Sequence, residues 1–181
     1  MKLIFIRHGS TQGNLHHRYI GRTDEPLCPD GILTLKYKIY PACDKLLVSP
    51  LKRCLQTAEI LYPESTMQIV PDFRECDFGD FEGKNYQELH QNPDYQKWIA
   101  SGGMMPFPNG EAPQAFRKRC VTAFLNTLPK SGRIAYIVHG GTIMSILSEF
   151  AGGNYYDYQI PNGGGYLTDW TEGNINILEE L

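Results

Sequence analysis

The sequence predicts an α/β fold in which helices cover a sheet, on three observations. Short strand-like segments alternate with helix-like ones along the chain. Two of them, Leu3-Ile4-Phe5-Ile6 and Ile134-Ala135-Tyr136-Ile137-Val138, are apolar throughout, the pattern of buried strands. Each runs directly into a histidine, as Arg7-His8-Gly9 and as His139-Gly140-Gly141-Thr142, and open α/β sheets place their chemistry at the carboxyl ends of strands.

The elements follow in order. Behind the first strand, residues 11–19 read as a short helix. Gly21-Arg22-Thr23-Asp24-Glu25-Pro26 and Cys28-Pro29-Asp30-Gly31 supply loop chemistry, and Asp30 is placed to cap a brief helix over residues 32–39. Lys45-Leu46-Leu47-Val48 is a second strand. Ser49-Pro50 opens the next helix, with serine as N-cap and proline in its first position, and the spacing turns Leu51, Leu55, Ala58 and Leu61 inward. Gln68-Ile69-Val70 is a third strand, and residues 72–83 carry too many glycines and charges for regular structure. Residues 86–100 are helical with a break at Asn92-Pro93. Phe116, Cys120, Ala123, Phe124 and Leu128 recur at helical spacing, giving a long amphipathic helix over residues 111–128. The strand into His139 is followed by a helix over residues 142–150. Asn162-Gly163-Gly164-Gly165 then precedes strands near residues 166–170 and 175–178. With no repeat and no disordered linker, residues 1–181 are expected to form one domain.

Composition excludes several function classes. Lys+Arg of 17 against Asp+Glu of 20 gives a formal net charge of -3, with no basic run suited to nucleic acid or an anionic membrane. No apolar span is long enough to cross a membrane, and Arg7-His8 interrupts the N-terminal apolar stretch, so neither a signal peptide nor a transmembrane helix is expected and the protein is expected to be cytoplasmic. Cys28, Cys43, Cys54, Cys76 and Cys120 are odd in number, widely spaced and without a Cys-x-x-Cys, which argues for free thiols over a disulfide framework or a zinc site. His16-His17 resembles a metal pair, but adjacent side chains point apart, so a solvated or substrate-lining role is the better reading.

Arginine and histidine at strand ends, beside helix starts, suit a phosphoryl group, because guanidinium forks and the backbone N–H groups of a helix N-terminus both favour that anion. Arg7 is one such fork. Arg53, one turn into the helix behind Ser49, is the other, since its side chain can lean back toward the helix start. The glycine after each histidine admits close approach of a ligand to the backbone, and Asn14 adds a neutral donor. Positive neighbours disfavour a protonated imidazole, so a histidine held among them is neutral and free to attack phosphorus.

At these residues the chain resembles the histidine phosphatase superfamily, which also contains cofactor-dependent phosphoglycerate mutases. Residues 5–14, Phe-Ile-Arg-His-Gly-Ser-Thr-Gln-Gly-Asn, look like the family's signature strand and loop. Gly21-Arg22-Thr23-Asp24 with Pro26-Leu27 looks like the next loop, and residues 49–58, from Ser49-Pro50 through Arg53 to Ala58, like the arginine helix. Arg74-Glu75-Cys76-Asp77-Phe78-Gly79-Asp80-Phe81-Glu82-Gly83 resembles the segment that carries the acid, and Val138-His139-Gly140-Gly141-Thr142 the second histidine. The motifs stand in family order over nearly the whole chain.

The resemblance implies a three-layer α/β/α sandwich with a mostly parallel central sheet, of the phosphoglycerate mutase-like kind. It also implies a covalent mechanism. His8 is then the nucleophile that forms a phosphohistidine, while Arg7, Arg53, His139 and Asn14 stabilise the phosphoryl oxygens. Glu75, picked out from Asp77, Asp80 and Glu82 only by the family pattern, is the acid for the leaving alcohol and the base for water. Thr23 and the Gly140 amide add phosphate contacts. No metal and no cofactor are implied. The chain departs from the family at Ser10, where Glu is usual, at Gly13, where Trp is frequent, and at Asn109-Gly110-Glu111-Ala112, where serine follows the glutamate elsewhere; the stretch between Gly31 and Ser49 is shorter than usual.

Mutases of the family have longer chains with extra segments closing the site, so the compact length favours a phosphomonoesterase. The expected partner is a small phosphate ester, with α-ribazole 5'-phosphate as one candidate from the branch it most resembles. A cofactor-dependent phosphoglycerate mutase and a non-catalytic phosphate-ester-binding module are the alternatives, and a homodimer stays open. Loops at residues 106–113 and 155–165 are expected to set specificity, their aromatic and neutral content suiting an organic leaving group. Met104-Met105 and Phe107 read equally as an apolar lid or as ordinary anchors.

Overall fold

The computed structural model describes residues 1–181. Six strands form one sheet: β1 (Lys2–Arg7), β2 (Lys45–Val48), β3 (Met67–Ile69), β4 (Arg133–Val138), β5 (Gly165–Thr171) and β6 (Asn174–Glu180), in the order β3-β2-β4-β1-β5-β6. The first four in that order run parallel, and β5 and β6 are antiparallel. Parallel neighbours need long crossovers, which the helices supply: α1 (Gln12–Leu15), α2 (Pro29–Tyr37), α3 (Lys52–Leu61), α4 (Tyr86–Leu89), α5 (Pro93–Ala100), α6 (Pro113–Thr127) and α7 (Gly140–Phe150). The antiparallel pair instead closes through Glu172-Gly173, both at positive φ, the two-residue turn whose twist matches a hairpin.

Alternation along the central strands divides the core into two faces. Leu3 and Phe5 of β1 join Leu47, Tyr136 and Val138 against Phe124 of α6 and Ile143, Ile146 and Leu147 of α7. Ile4 and Ile6 join Leu46, Val48, Ala135 and Ile137 against Cys54 and Ala58 of α3. The result is the expected three layers with a mostly parallel sheet. A third apolar cluster lies away from the sheet, where Cys76, Phe81, Leu89, Tyr95, Trp98 and Phe107 pack on Phe116 and Cys120 of α6.

Element starts differ from the sequence reading wherever a side chain has another task. Residues 16–19 are not helical: α1 is one turn, capped by Thr11 and stopped at His17, whose φ is 52°. Cys28, with Pro29 behind it, caps α2 in place of Asp30, its Sγ accepting the Gly31 N–H at 3.4 Å. α3 begins at Lys52 and not behind Ser49, because the Ser49 hydroxyl is taken by His139 at 2.7 Å and Asp24 Oδ1 receives the Lys52 N–H at 2.7 Å. Its inward face is Arg53, Cys54, Thr57 and Ala58, with Leu51, Leu55 and Leu61 only half-buried; a buried arginine is invisible to apolar periodicity. β3 sits one residue earlier than expected. The break at Asn92-Pro93 is where the sequence puts it, Asn92 capping α5 through the amides of Asp94 and Tyr95.

Phe124 is fully buried and packs its ring on Phe5, Tyr136, Phe150 and Trp170 at centroid distances of 5.4–5.9 Å. Phe124→Ala is expected to destabilise the fold by about 3–5 kcal/mol through lost burial and the cavity left behind, read from chemical denaturation midpoints at unchanged slope.

Candidate functional site

Two adjacent parallel strands bring the histidines together. β1 and β4 pair in register with Arg7 opposite Val138, so their next residues, His8 and His139, emerge side by side, and the His8 N–H donates to the Val138 carbonyl at 3.0 Å. Both are buried, with ring centroids 5.2 Å apart at 65°. His8 Nδ1 faces its neighbour's carbonyl, Gly9 O, at 2.7 Å. A carbonyl only accepts, so Nδ1 carries the proton and the Nε2 lone pair is free. His139 stands at the N-cap position of α7 with no side chain capping the helix, the Gly141 N–H facing Glu75, while Ser49 Oγ fixes its ring at Nε2.

Arg53 lies in the first turn of α3 with no exposure, and its guanidinium has no carboxylate partner. It donates instead to backbone carbonyls of the 20–23 loop: Thr23 O at 2.8 Å, Gly21 O at 2.9 Å and Ile20 O at 3.3 Å. Glu82 holds that loop by accepting the Gly21 and Thr23 N–H groups at 2.8 and 2.9 Å. Gly21 is required there, since a Cβ would stand 1.8 Å from the Cys76 carbonyl oxygen. Arg7 donates to Ile160 O at 2.6 Å. The Nε of each arginine is buried without a partner, and a Cβ on Gly140 would lie 3.4 Å from Arg7 Nε. Unspent donors beside the uncapped start of α7 make a cradle for an anion with several oxygens.

Glu75 follows the short turn Pro71–Phe73 and rests against the start of α7, where Gly141 has room for it only because it lacks a Cβ: one would sit 2.7 Å from Glu75 Oε1. The same oxygen accepts the Cys76 N–H at 2.9 Å. The loop before it is tied down by Arg119 of α6, which forks onto Glu111 at 2.7 and 3.0 Å and donates to the carbonyls of Asp72 and Arg74.

The electrostatics follow from burial and from these cations. Burial, then Arg53 and Arg7, push His8 well below the ordinary histidine range, and burial with Arg53 and His8 does the same to His139. Both imidazoles are therefore neutral near pH 7. Burial raises the Glu75 carboxyl above its ordinary value against the opposing pull of the Cys76 N–H and the arginines. A neutral imidazole and a carboxyl shifted toward its protonated form thus lie beside one space.

That space is a cavity of about 730 Å³. Arg7, Glu75 and Gly140 line it, together with Asn14 and Ser10; His8 and His139, the chain neighbours of Arg7 and Gly140, and Arg53 are buried and do not themselves line it. Asn14 stands on the wall with its side-chain oxygen already engaged by Thr11 and Asn162. Thr23 is exposed and does not line the cavity; its contribution to the cluster is the carbonyl under Arg53. His16 pairs with Gln12 and only His17 of the two reaches the cavity. Phe107 is buried in the third apolar cluster, while Met104 and Met105 are exposed. Sequence reasoning missed Ser49, Glu82 and Asn162, which steady His139, the Arg53 loop and the His8 carbonyl. Ser49 and Glu82 stand inside motifs of the resemblance, but no signal in the sequence assigns them these partners.

The model of the histidine phosphatase superfamily, branch 1, matches residues 3–179. The adenosylcobalamin/alpha-ribazole phosphatase of Escherichia coli strain K12 is 30% identical over 164 residues, covering 84% of this chain and 80% of that protein. Among solved structures, a histidine-to-alanine mutant of phosphoserine phosphatase from Entamoeba histolytica, in complex with phosphoserine, superposes with a TM-score of 0.84 at 26% identity over 99% of this chain and 95% of its own. Phosphoglycerate mutase from Thermus thermophilus does so with a TM-score of 0.80 at 28% identity, over 100% and 98%. No helix is long and apolar enough to cross a membrane.

The burial of these groups sets the response of the fold to acid. Below about pH 6.5 the unfolded chain protonates both histidines while the folded one does not, so stability is complete above that pH and falls as acid is added. Glu75 acts oppositely, since its raised folded pKa makes the folded state bind the extra proton; Glu75→Gln removes this offset, and its melting temperature is expected to drop more steeply with acid than that of the native chain. Gly21→Ala should displace the loop under Arg53, lowering phosphate affinity in calorimetry as well as thermal stability.

Proposed function

The chain belongs to the histidine phosphatase superfamily, branch 1, and is a histidine phosphatase acting on phosphate esters; within that family we propose that it is a phosphomonoesterase working through a phosphohistidine on His8, without a metal ion. The observation that carries this reading is the free Nε2 of a neutral His8, held beside two arginines with unspent donors. The phosphoryl group sits against Arg7, Arg53, His139 and the Gly140 amide, with Asn14 at the wall. His8 Nε2 forms the N–P bond as the ester P–O bond breaks, and the departing alkoxide takes the proton of Glu75. Water then attacks the phosphohistidine, giving its proton to the Glu75 carboxylate, and the P–N bond breaks to return neutral His8 and inorganic phosphate. Charge gathering on the phosphoryl oxygens meets guanidinium and backbone donors already in place, which is the role a metal ion has in other phosphoryl-transfer sites.

The substrate is a small organic phosphate whose alcohol occupies the outer cavity, among Tyr19, Phe78, Trp98, Phe116 and Tyr155. α-Ribazole 5'-phosphate is one candidate, supported by the name of the E. coli relative and by the aromatic walls. A phosphoglycerate mutase, the second reading, has the similarity to the Thermus enzyme in its favour. Released phosphate and 2-phosphoglycerate measured together from 3-phosphoglycerate, α-ribazole 5'-phosphate and p-nitrophenyl phosphate separate the two. Phosphate release that is lost in His8→Ala and indifferent to chelators is the expected result, whereas isomerisation outrunning hydrolysis installs the mutase, and ester binding without turnover a non-catalytic module.

Glu75→Gln is expected to slow hydrolysis of alkyl phosphates by about a hundredfold or more and that of p-nitrophenyl phosphate far less, because nitrophenolate leaves without a proton. Equal losses on both, in steady-state kinetics, would remove Glu75 from the acid role.

A further inference from the structure

The cavity holds one cation that neither the fold nor the phosphoryl site uses. Three arginines line it. Arg7 donates to Ile160 O, and Arg18 is spent on Glu88 and the Gly83 carbonyl. Arg117 of α6 alone makes neither a side-chain hydrogen bond nor an ion pair. Its neighbour Arg119, two positions on, is by contrast fully engaged with Glu111 and two carbonyls. Glu149, in the outer groove between α6 and α7 that Arg117 also borders, is not within ion-pair distance.

Arg117 is nevertheless held in place. Its guanidinium carbon stands 4.0 Å over the centroid of the Tyr155 ring, and the Tyr155 hydroxyl reaches Gly141 O at 3.4 Å. Stacking on an aromatic face orients a guanidinium and leaves the donors on its edge free. Gly141 is also the residue against which Glu75 packs, so Glu75, Gly141, Tyr155 and Arg117 form a continuous line along the cavity from the ester oxygen outward. A group on the leaving alcohol, beyond the oxygen served by Glu75, meets Arg117 next.

We propose that Arg117, stacked on Tyr155, is a specificity-determining residue that selects phosphate esters whose alcohol carries a second anion, a carboxylate or another phosphate. This rests on the phosphatase reading of the same cavity. The planar fork of an arginine suits either anion with two parallel hydrogen bonds, and the apolar surroundings of Phe116, Met144 and Tyr155 reduce the screening that would weaken such a pair in open water. Burial shifts the carboxyl at position 75 toward its protonated form, which lessens its repulsion of the incoming anion. Esters without a second anion are ranked by their fit to the aromatic walls alone.

The test uses matched esters with the same kind of phosphorylated primary carbon: 3-phosphoglycerate against glycerol 3-phosphate for the carboxylate, and fructose 1,6-bisphosphate against fructose 6-phosphate for the second phosphate. Affinities are measured by calorimetry on the full chain carrying His8→Ala, with His8→Asn as a second background should the first fold poorly, and kcat/KM on the native chain. The member of at least one pair that carries the second anionic group is expected to bind about tenfold to a hundredfold more tightly than the partner that lacks it, as a charge-assisted hydrogen bond implies. Arg117→Met, which retains the packing stem, and Arg117→Gln should each collapse that ratio toward one, and Arg117→Lys should restore part of it. Which pair responds identifies the anion. Equal affinity within both pairs, or a loss in the Arg117 variants that leaves the ratio unchanged, overturns the proposal. Because the ratio is read in binding, an absence of turnover with discrimination intact strikes the phosphatase reading and leaves the Arg117 inference standing.

Discussion

A buried guanidinium held only by backbone carbonyls organises this molecule. Arg53 has no exposure and no carboxylate, and an unpaired buried charge is among the costliest things a fold can contain. Carbonyl oxygens of Ile20, Gly21 and Thr23 offset part of that cost, and they are in position because Glu82 gathers the amides of the same loop. The remainder is left as positive potential in the cavity. Burial first, and this charge after it, keep His8 and His139 neutral, while on the Glu75 carboxyl the charge pulls in opposition to burial. A phosphoryl anion is the partner that such a charge lacks. The site is thus less a set of residues added to a scaffold than a charge imbalance that the scaffold maintains.

The sheet supplies the geometry that the charge alone cannot. Because β1 and β4 are parallel neighbours in register, two histidines far apart in the chain emerge at one edge, and α7 starts there with its first amides directed at the same point. Gly141 lets Glu75 and Phe116 approach that helix start at distances a Cβ would forbid, and at Gly140 a Cβ would only touch Arg7. Strand pairing, helix start and glycine together hold the histidines to one arrangement.

Much of this is legible in the sequence, and the exceptions have common causes. The two apolar runs ending in Arg7-His8 and His139 announce the strands, and their shared ending announces one cluster. The helix over residues 111–128 is visible because its inward residues are ordinary hydrophobes. The face of α3 is not, because Arg53, which periodicity assigns to solvent, is its most buried large side chain. Ser49 reads as a cap because serine before proline usually is one; the competing partner, His139, lies 90 residues away and has no local signal. Likewise Thr23 is legible as a member of a motif, while its use of a carbonyl rather than a hydroxyl is not. Local chemistry predicts local hydrogen bonds, and this site is built mostly from distant ones.

The third apolar cluster, set apart from the sheet, bears on how such an enzyme can change its task. The phosphoryl end is made from β1, β4, α3 and the start of α7, whose residues also form the two sheet-side cores, so alterations there endanger folding and chemistry together. The outer walls come from Tyr19, Phe78, Trp98, Phe107 and Phe116, which pack mainly on one another beside the sheet. Substitutions confined to that cluster reshape the volume offered to the alcohol while drawing on a separate reserve of stability. Divergence toward new esters, by natural drift or in a directed library, can therefore proceed on one side of the cavity with the histidines and arginines on the other side untouched.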